Sequence, residues 1–192
     1  MMDRQNTRRT EALFFCAVAP ILRCAKPASL MTLIPGSEQA WCTRRNALCR
    51  ATGLRFIELH GSHGCTVLLV YDEDALCRVL RHPQAKDLLD RYGYAPEGSL
   101  AVRFARLQER FATEDFPHEI GVFLGYPLDD VSSFIAHRGQ DCLCSRYWKV
   151  YHNPERAQEI FARIDAARAY AQALLGQSLP VHITANRLKT VT

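Results

Sequence analysis

Residues 54–71 read LRFIELHGSHGCTVLLVY, two short apolar segments joined by a glycine-rich turn. The first segment, residues 54–59, alternates apolar and polar side chains, which is typical of a strand exposed on one face. The second segment, residues 66–71, is continuously apolar, which is typical of a central strand. The pattern predicts a hairpin at the centre of the fold.

Helices are predicted on both sides of this hairpin. A first helix over residues 7–19 should end at Pro20, because proline disrupts a helix interior. A second helix over residues 37–52 should end at a glycine. Near the end of the chain, residues 154–176 carry a long apolar stripe and begin with proline at a favoured first-turn position.

Two further strands are predicted, over residues 29–34 and 142–151. The resulting order of elements is that of an α+β protein. We therefore expect a single domain over residues 1–176, with a small mixed or antiparallel sheet of about four strands covered by helices. Residues 177–192 show little apolar pattern and are predicted to be a poorly ordered tail.

The composition of the 192-residue chain is that of an ordinary globular domain, with 48% apolar and 23% charged residues. The net charge is only +4, and the arginines are spread along the chain among acidic residues. This distribution indicates solvated helix faces and argues against a basic surface for nucleic acid. The apolar run over residues 13–22 is too short to span a bilayer, so no membrane partner is predicted.

The eight cysteines do not form the pattern of a small secreted disulfide framework. Several fall on the apolar faces of predicted helices, as Cys16 and Cys49 do, where a free thiol packs as a small apolar side chain. A reducing, cytoplasmic location is therefore predicted. Residues 13–22 also have features of a secretory signal peptide, but Glu11 at their start favours a buried first helix.

Residues 116–135, FPHEIGVFLGYPLDDVSSFI, place two short apolar segments around a Gly-Tyr-Pro corner, with spacing that suits a DNA-reading helix-turn-helix. Residues 114–135, however, contain five acidic residues and no lysine or arginine. DNA affinity depends largely on cationic contacts to phosphate. Asp129 and Asp130 are better explained as first-turn acids that offset a helix dipole. A structural corner is favoured.

Side chains that often bind metals crowd the hairpin turn, where His60, His63 and Cys65 fall within six residues. A closed zinc site needs four ligands, and the best second pair is Cys142 and Cys144, on one face of the predicted last strand. Nothing in the spacing requires the two segments to meet. Incidental histidines and buried thiols are favoured, so no metal is predicted.

The sequence contains no phosphate-binding glycine loop, no dinucleotide fingerprint and no nucleophile elbow. His118 and Glu119 could act together as a general acid and base, or could simply begin a helix. The second interpretation is favoured because no nucleophile lies beside them at a motif spacing. Enzymatic activity and cofactor use stay open at this level.

Five short segments of the chain match the pattern of a known protein family. They are residues 118–127 (HEIGVFLGYP), 130–135 (DVSSFI), 147–151 (YWKVY), 26–30 (KPASL) and 68–71 (LLVY). Together they resemble an uncharacterised bacterial family, domain of unknown function 3793. The resemblance implies an origin mostly in anaerobic bacteria, a cytosolic location and one domain up to about residue 176. It implies no reaction. Family members commonly carry a glycine before the Tyr-Trp pair, where this chain has Arg146.

Three of these segments, residues 26–30, 118–127 and 147–151, carry the side chains of a candidate pocket. If they converge, they would form a pocket of cations, aromatic rings and one titratable pair. Alternation along the last strand places Trp148 and Val150 on one face. The opposite face is predicted to be the more open one, and it carries Tyr147, Lys149 and Tyr151. The favoured function is binding of a small anionic or planar ligand. The residues predicted to bind it are Lys26, His118, Glu119, Tyr126, Tyr147, Lys149 and Tyr151. A nucleic-acid-binding or regulatory protein, and a partner-binding scaffold without a ligand site, are the alternatives.

Overall fold

The computed structural model describes residues 2–24, 26–60, 66–113 and 116–190, with side chains described from residue 5 onward. Within these residues the chain combines helices with short strands, and the predicted α+β class is confirmed. The helices are α1 (Met2–Cys24), α2 (Glu38–Thr52), α3 (Glu73–Leu80), α4 (Pro83–Asp90), α5 (Leu100–Thr113), α6 (Ile120–Phe123), α7 (Leu128–Ala136), α8 (Pro154–Gly176) and α9 (Val181–Lys189). The strands are β1 (Ala28–Thr32), β2 (Arg55–His60), β3 (Thr66–Tyr71), β4 (Cys144–Ser145) and β5 (Lys149–Val150).

The predicted hairpin forms the centre of the fold. β3 lies between β1 and β2 and pairs antiparallel with both, so that Leu69 stands opposite Leu30 and Ile57. The middle of β3 is fully buried, whereas most of β2 is half-buried or exposed. Both strands of the hairpin are confirmed, and residues 61–65 between them lie outside the described residues.

Successive side chains of β3 point to opposite faces of the sheet and contribute to two separate cores. Leu68 and Val70 belong to the first core, where they pack with apolar residues of α1, α2, α8 and α9. Leu69 and Tyr71 belong to the second core, where they pack with apolar residues of α3, α4, α5, α6 and α7. The three-stranded sheet is therefore the middle layer of the molecule, with helices on both faces.

The first helix is longer than residues 7–19 because it continues through Pro20 to Cys24. A proline in a helix interior costs about 3 kcal/mol. Phe14, Val18 and Ile21 are buried in the first core, and burial of each such side chain contributes about 1.5–3 kcal/mol, which offsets that cost. Neither α1 nor any other helix in the described residues is long and apolar enough to cross a membrane.

The prediction of a poorly ordered tail after residue 176 is wrong for residues 181–189, which form α9. α9 packs against α1, α2 and α8, with Ala185 and Leu188 fully buried and Thr184 nearly so. These three positions form only one short turn of apolar surface. So brief a stripe gives no helical periodicity that a sequence pattern can show.

The predicted last strand forms a small ribbon of its own. β4 and β5 pair antiparallel, with Cys144 opposite Val150, and they do not join the central sheet. The expected sheet of about four strands is therefore three strands plus this ribbon. The ribbon lies against α8 because Trp148 and Val150 are buried beside Phe161. It also contacts α7, which brings Lys149 close to that helix.

Candidate functional site

A cavity of about 350 Å³, here called the aromatic cavity, lies between β1, the α6–α7 corner and the β4–β5 ribbon. Most of its lining is apolar. The aromatic side chains that line it are those of Phe116, His118, Tyr126, Phe134, Tyr147 and Trp148. Leu30 and Val131 add aliphatic surface. Such a lining, with few polar groups, is characteristic of sites for small organic ligands.

Among the described residues, two basic side chains line this cavity, His118 and Lys149, and both lie beside Phe134. His118 lies just before α6, and its ring meets that of Phe134 edge-on at 4.9 Å between centroids. The Nζ of Lys149, from β5, lies 5.8 Å from the same ring centroid and donates a hydrogen bond to the Gly139 carbonyl at 2.5 Å. Within the described part of the chain, no carboxylate pairs with Lys149.

One wall of the cavity is a pair of stacked rings. The ring centroids of Tyr126 and Trp148 lie 5.1 Å apart, with an angle of 28° between the ring planes. Trp148 also meets the ring of Phe161 edge-on, with 4.5 Å between centroids. Burial raises the pKa of the Tyr126 hydroxyl, so this ring remains neutral at physiological pH. The wall is therefore neutral and aromatic.

Asp130 holds this wall in place. The residue is 2% exposed, and its Oδ2 accepts a hydrogen bond from Nε1 of Trp148 at 2.7 Å. Its Oδ1 accepts from the backbone N–H groups of Tyr151 at 2.8 Å and His152 at 2.9 Å. Buried carboxylates are stable when several donors satisfy them. Although Asp130 lines the aromatic cavity, its oxygens are occupied by the protein.

Lys26 lies on the other side of the wall. It lines a second cavity of about 490 Å³, with its Nζ 5.3 Å from the Tyr126 ring centroid. His118 and Lys149 line only the aromatic cavity, whereas Tyr126 and Trp148 line both. The hypothesis that all three cationic side chains share one pocket is therefore corrected. The stacked rings separate Lys26 from the other two.

Glu119 does not line either cavity. It is 1% exposed, pairs with the guanidinium of Arg110, and accepts a hydrogen bond from the Tyr94 hydroxyl at 3.1 Å. Burial, followed by the negative charge of Glu119, raises the pKa of Tyr94. His118 is exposed while Glu119 points into the second core, so the two do not form an acid–base pair. The ion pair with α5 could not be read from local spacing.

Tyr151 also lies outside both cavities. Its ring stacks on that of His137 at 5.7 Å between centroids, and its hydroxyl is buried without a hydrogen-bond partner in the described residues. Tyr147 does line the aromatic cavity, but its hydroxyl donates to Asp165 of α8 at 2.6 Å. Its side chain therefore contributes to the cavity lining, while its hydroxyl braces the ribbon against α8.

The residues considered for zinc do not form a site in the part of the chain that the structure describes. His60 is exposed and 3.8 Å from Glu58, and Cys142 and Cys144 are free thiols. His63 and Cys65 lie outside the described residues. Among the residues described, no three His, Cys, Asp or Glu side chains could hold a metal ion together.

With this geometry in place, comparison with known proteins identifies the family. A family model described as a protein of unknown function, DUF3793, matches residues 14–183. The chain belongs to the DUF3793 family. The match confirms the resemblance and extends it past residue 176 into the start of α9. Comparisons with curated proteins and with solved structures give no significant match.

In this DUF3793 chain, the α6–α7 corner and the arginine at position 146 both have structural roles. α6 is a single turn whose four residues are all buried, so the corner packs into the second core. Arg146, which replaces the common glycine, pairs with Asp165 at 2.7 Å and lies 5.8 Å from the Tyr147 ring centroid. It therefore braces the ribbon against α8 and lies outside the lining of the aromatic cavity.

Proposed function

We propose that this DUF3793 protein binds a small planar ligand with an acidic group in the aromatic cavity. The observation that carries this proposal is the aromatic enclosure of a cavity that also contains an ammonium with no carboxylate partner among the described residues. The volume of about 350 Å³ is within the range of small-molecule sites. The stacked Tyr126–Trp148 wall and the Phe134 ring offer faces and edges on which a flat ring can pack.

The charges around the cavity favour an anion. Lys149 uses one of its three N–H donors on Gly139, which leaves two for a ligand. His118 adds a group that can donate a hydrogen bond or carry positive charge. The carboxylate of Asp130 also lines the cavity, but its oxygens accept three hydrogen bonds from N–H groups and it does not pair with Lys149. An acidic group placed near Lys149 would therefore be attracted to an ammonium that no carboxylate of the described residues already pairs with.

The proposal places the protein in the bacterial cytoplasm, and this expectation is supported by the family resemblance. Nucleic-acid binding has less support because the corner is buried and acidic. Asp129 is exposed at the start of α7, and Asp130 beside it is buried. A recognition helix that presents a carboxylate would repel phosphate.

Calorimetric titration with 2-naphthoate and its neutral carboxamide tests the proposed function. We expect the carboxylate to bind more tightly by about tenfold, which corresponds to about 1.4 kcal/mol. Lys149→Met should remove this preference while leaving carboxamide binding unchanged. Lys189→Met is the matched control, since its Nζ also donates to a backbone carbonyl, that of Ala51 at 2.9 Å, far from the cavity.

A second variant tests the location of the ligand. Leu30→Phe adds a ring to the cavity lining and should weaken binding of both probes by at least about tenfold, because overpacking removes the available space. The melting temperature of each variant shows whether the protein is still folded. If neither probe binds, or if Lys149→Met and Leu30→Phe both leave naphthoate affinity unchanged in folded protein, the proposed function is wrong.

A further inference from the structure

The second cavity, here called the Lys26 cavity, is larger and more polar in its lining than the aromatic cavity. Its volume is about 490 Å³, and it lies between the end of α1, the α6–α7 corner and the first half of α8. Tyr126 and Trp148 form its boundary with the aromatic cavity. The two cavities therefore share a wall but present different chemistry.

Basic side chains outnumber acidic ones in the lining of the Lys26 cavity. Lys26, Arg156 and Arg163 line it, and none of them pairs with a carboxylate among the described residues. Of the two carboxylates in the lining, Asp129 is exposed, and Asp130 is occupied by the three N–H donors described above. These three basic side chains thus line a cavity in which, among the described residues, only one carboxylate is not already held by N–H donors.

The ammonium of Lys26 is unfavourably placed in the absence of an anion. Removal from water, and then the nearby charge of Arg168, lower the pKa of Lys26 to about 7. The Tyr126 ring provides a weak cation–π contact at 5.3 Å. An opposite charge within a few ångströms would favour the ammonium and restore its proton. The remaining titratable or charged groups around the cavity are those of Cys24, Asp129, Asp130, His152, Arg156 and Arg163.

We propose that the Lys26 cavity is a second binding site, which takes a small oxyanion such as a phosphate or carboxylate group between Lys26, Arg156 and Arg163. The arginines are always charged and offer forked donors that suit an oxyanion. The lysine supplies a point charge at the inner wall. Binding is accompanied by proton uptake, because the anion stabilises the charged form of Lys26. This site is distinct from the aromatic cavity and does not depend on the function proposed there.

The test is a pH titration of the lysine side-chain NMR signals in sodium chloride, sodium phosphate and sodium acetate at constant ionic strength. The chain has only four lysines, at positions 26, 86, 149 and 189, so single Lys→Met variants assign each signal. Phosphate or acetate should raise the midpoint of Lys26 by about one pH unit or more, the result of about tenfold preferential binding to the charged form. The anion-dependent shift of Lys26 should persist in Lys149→Met, which distinguishes this site from the aromatic cavity.

Arginine variants then locate the anion. Arg156→Gln and Arg163→Gln should each weaken the anion-dependent shift of Lys26 by about tenfold in apparent affinity, since each removes one charge from the site. Arg50→Gln, on the exposed face of α2, is the control and should have no effect. His152→Gln removes the imidazole from the cavity lining, and the Lys26 shift should persist in it.

The anion that shifts the Lys26 midpoint further shows which oxyanion the site prefers, a phosphate or a carboxylate. If neither anion moves the Lys26 midpoint, the second site does not exist. If the midpoint moves equally in Arg156→Gln, Arg163→Gln and Arg50→Gln, the shift reflects general screening and the proposed site is also refuted.

Discussion

Replacement of Asp130 by asparagine tests whether one buried carboxylate holds the wall that both cavities share. The asparagine side chain would keep a single carbonyl acceptor in place of two carboxylate oxygens. If that acceptor stays with the backbone N–H groups of Tyr151 and His152, the new NH₂ group faces the indole N–H of Trp148. One buried donor would then have no acceptor, and the other two hydrogen bonds would lose their ionic character.

The cost follows from these three bonds. A hydrogen bond to a charged group contributes about 1.5–3 kcal/mol, and a neutral one about 1 kcal/mol. Loss of the Trp148 bond therefore costs about 2 kcal/mol, and weakening of the other two costs about 1 kcal/mol each. An amide is easier to bury than a carboxylate, which offsets about 1 kcal/mol of the total. We expect Asp130→Asn to lower the free energy of unfolding by about 3 kcal/mol.

Urea unfolding followed by far-UV circular dichroism measures this loss. Asp129→Asn is the matched control, because the adjacent carboxylate is exposed and its helix-dipole contribution is about 0.5 kcal/mol. In a Trp148→Phe background, Asp130→Asn should cost about 1–2 kcal/mol less, because the lost partner is already absent. Equal effects of the two asparagine variants, or no coupling to Trp148, would show that the carboxylate does not hold the wall.

Three further predictions concern the fold and Lys26. Leu188→Ala should destabilise the protein by about 2–5 kcal/mol in urea unfolding, as expected for a fully buried leucine; a loss below about 1 kcal/mol would place α9 outside the cooperative core. Gly125→Ala should cost about 1–3 kcal/mol more than Gly53→Ala, since both glycines have positive φ but only at position 125 would a Cβ overlap the Pro27 ring. Lys26 should make the free energy of unfolding increase as the pH rises from about 7 towards the ordinary pKa of a lysine. Over this range the unfolded chain binds a proton that the folded chain has released. The difference in unfolding free energy between the wild type and Lys26→Met, measured across this pH range, isolates the effect, and a flat difference would contradict the lowered pKa.

Local pattern was sufficient for several elements of the fold. The continuous apolar run of β3 and the alternation of β2 predicted the hairpin, because side-chain period along a strand reports which faces are buried. The Asn153-Pro154 start of α8 was also readable, and the Asn153 side chain accepts a hydrogen bond from the backbone N–H of Arg156 at 3.2 Å. These features depend on neighbours in sequence.

Local pattern was misleading where long-range packing decides the outcome. Pro20 does not end α1, because burial of the surrounding residues outweighs the lost hydrogen bond. Glu119 was predicted to bind a ligand beside His118, yet it is buried in the second core and pairs with Arg110. Phe134 and Asp130 were not predicted to belong to the site. A phenylalanine at helical spacing and an acid in a first turn have common structural roles, and no pattern distinguishes them.

The sequence by itself determined the α+β class, the central hairpin, the long α8 helix and the family, because periodicity, helix-end residues and a specific set of segments are all encoded locally. Only the tertiary structure decided that the aromatic cavity and the Lys26 cavity lie side by side and that Lys26 belongs to a different one from His118 and Lys149. The physical reason is that the Tyr126–Trp148 stack joins residues 22 positions apart, and its place depends on Asp130. Which side of such a wall a charge occupies is fixed by contacts between distant segments.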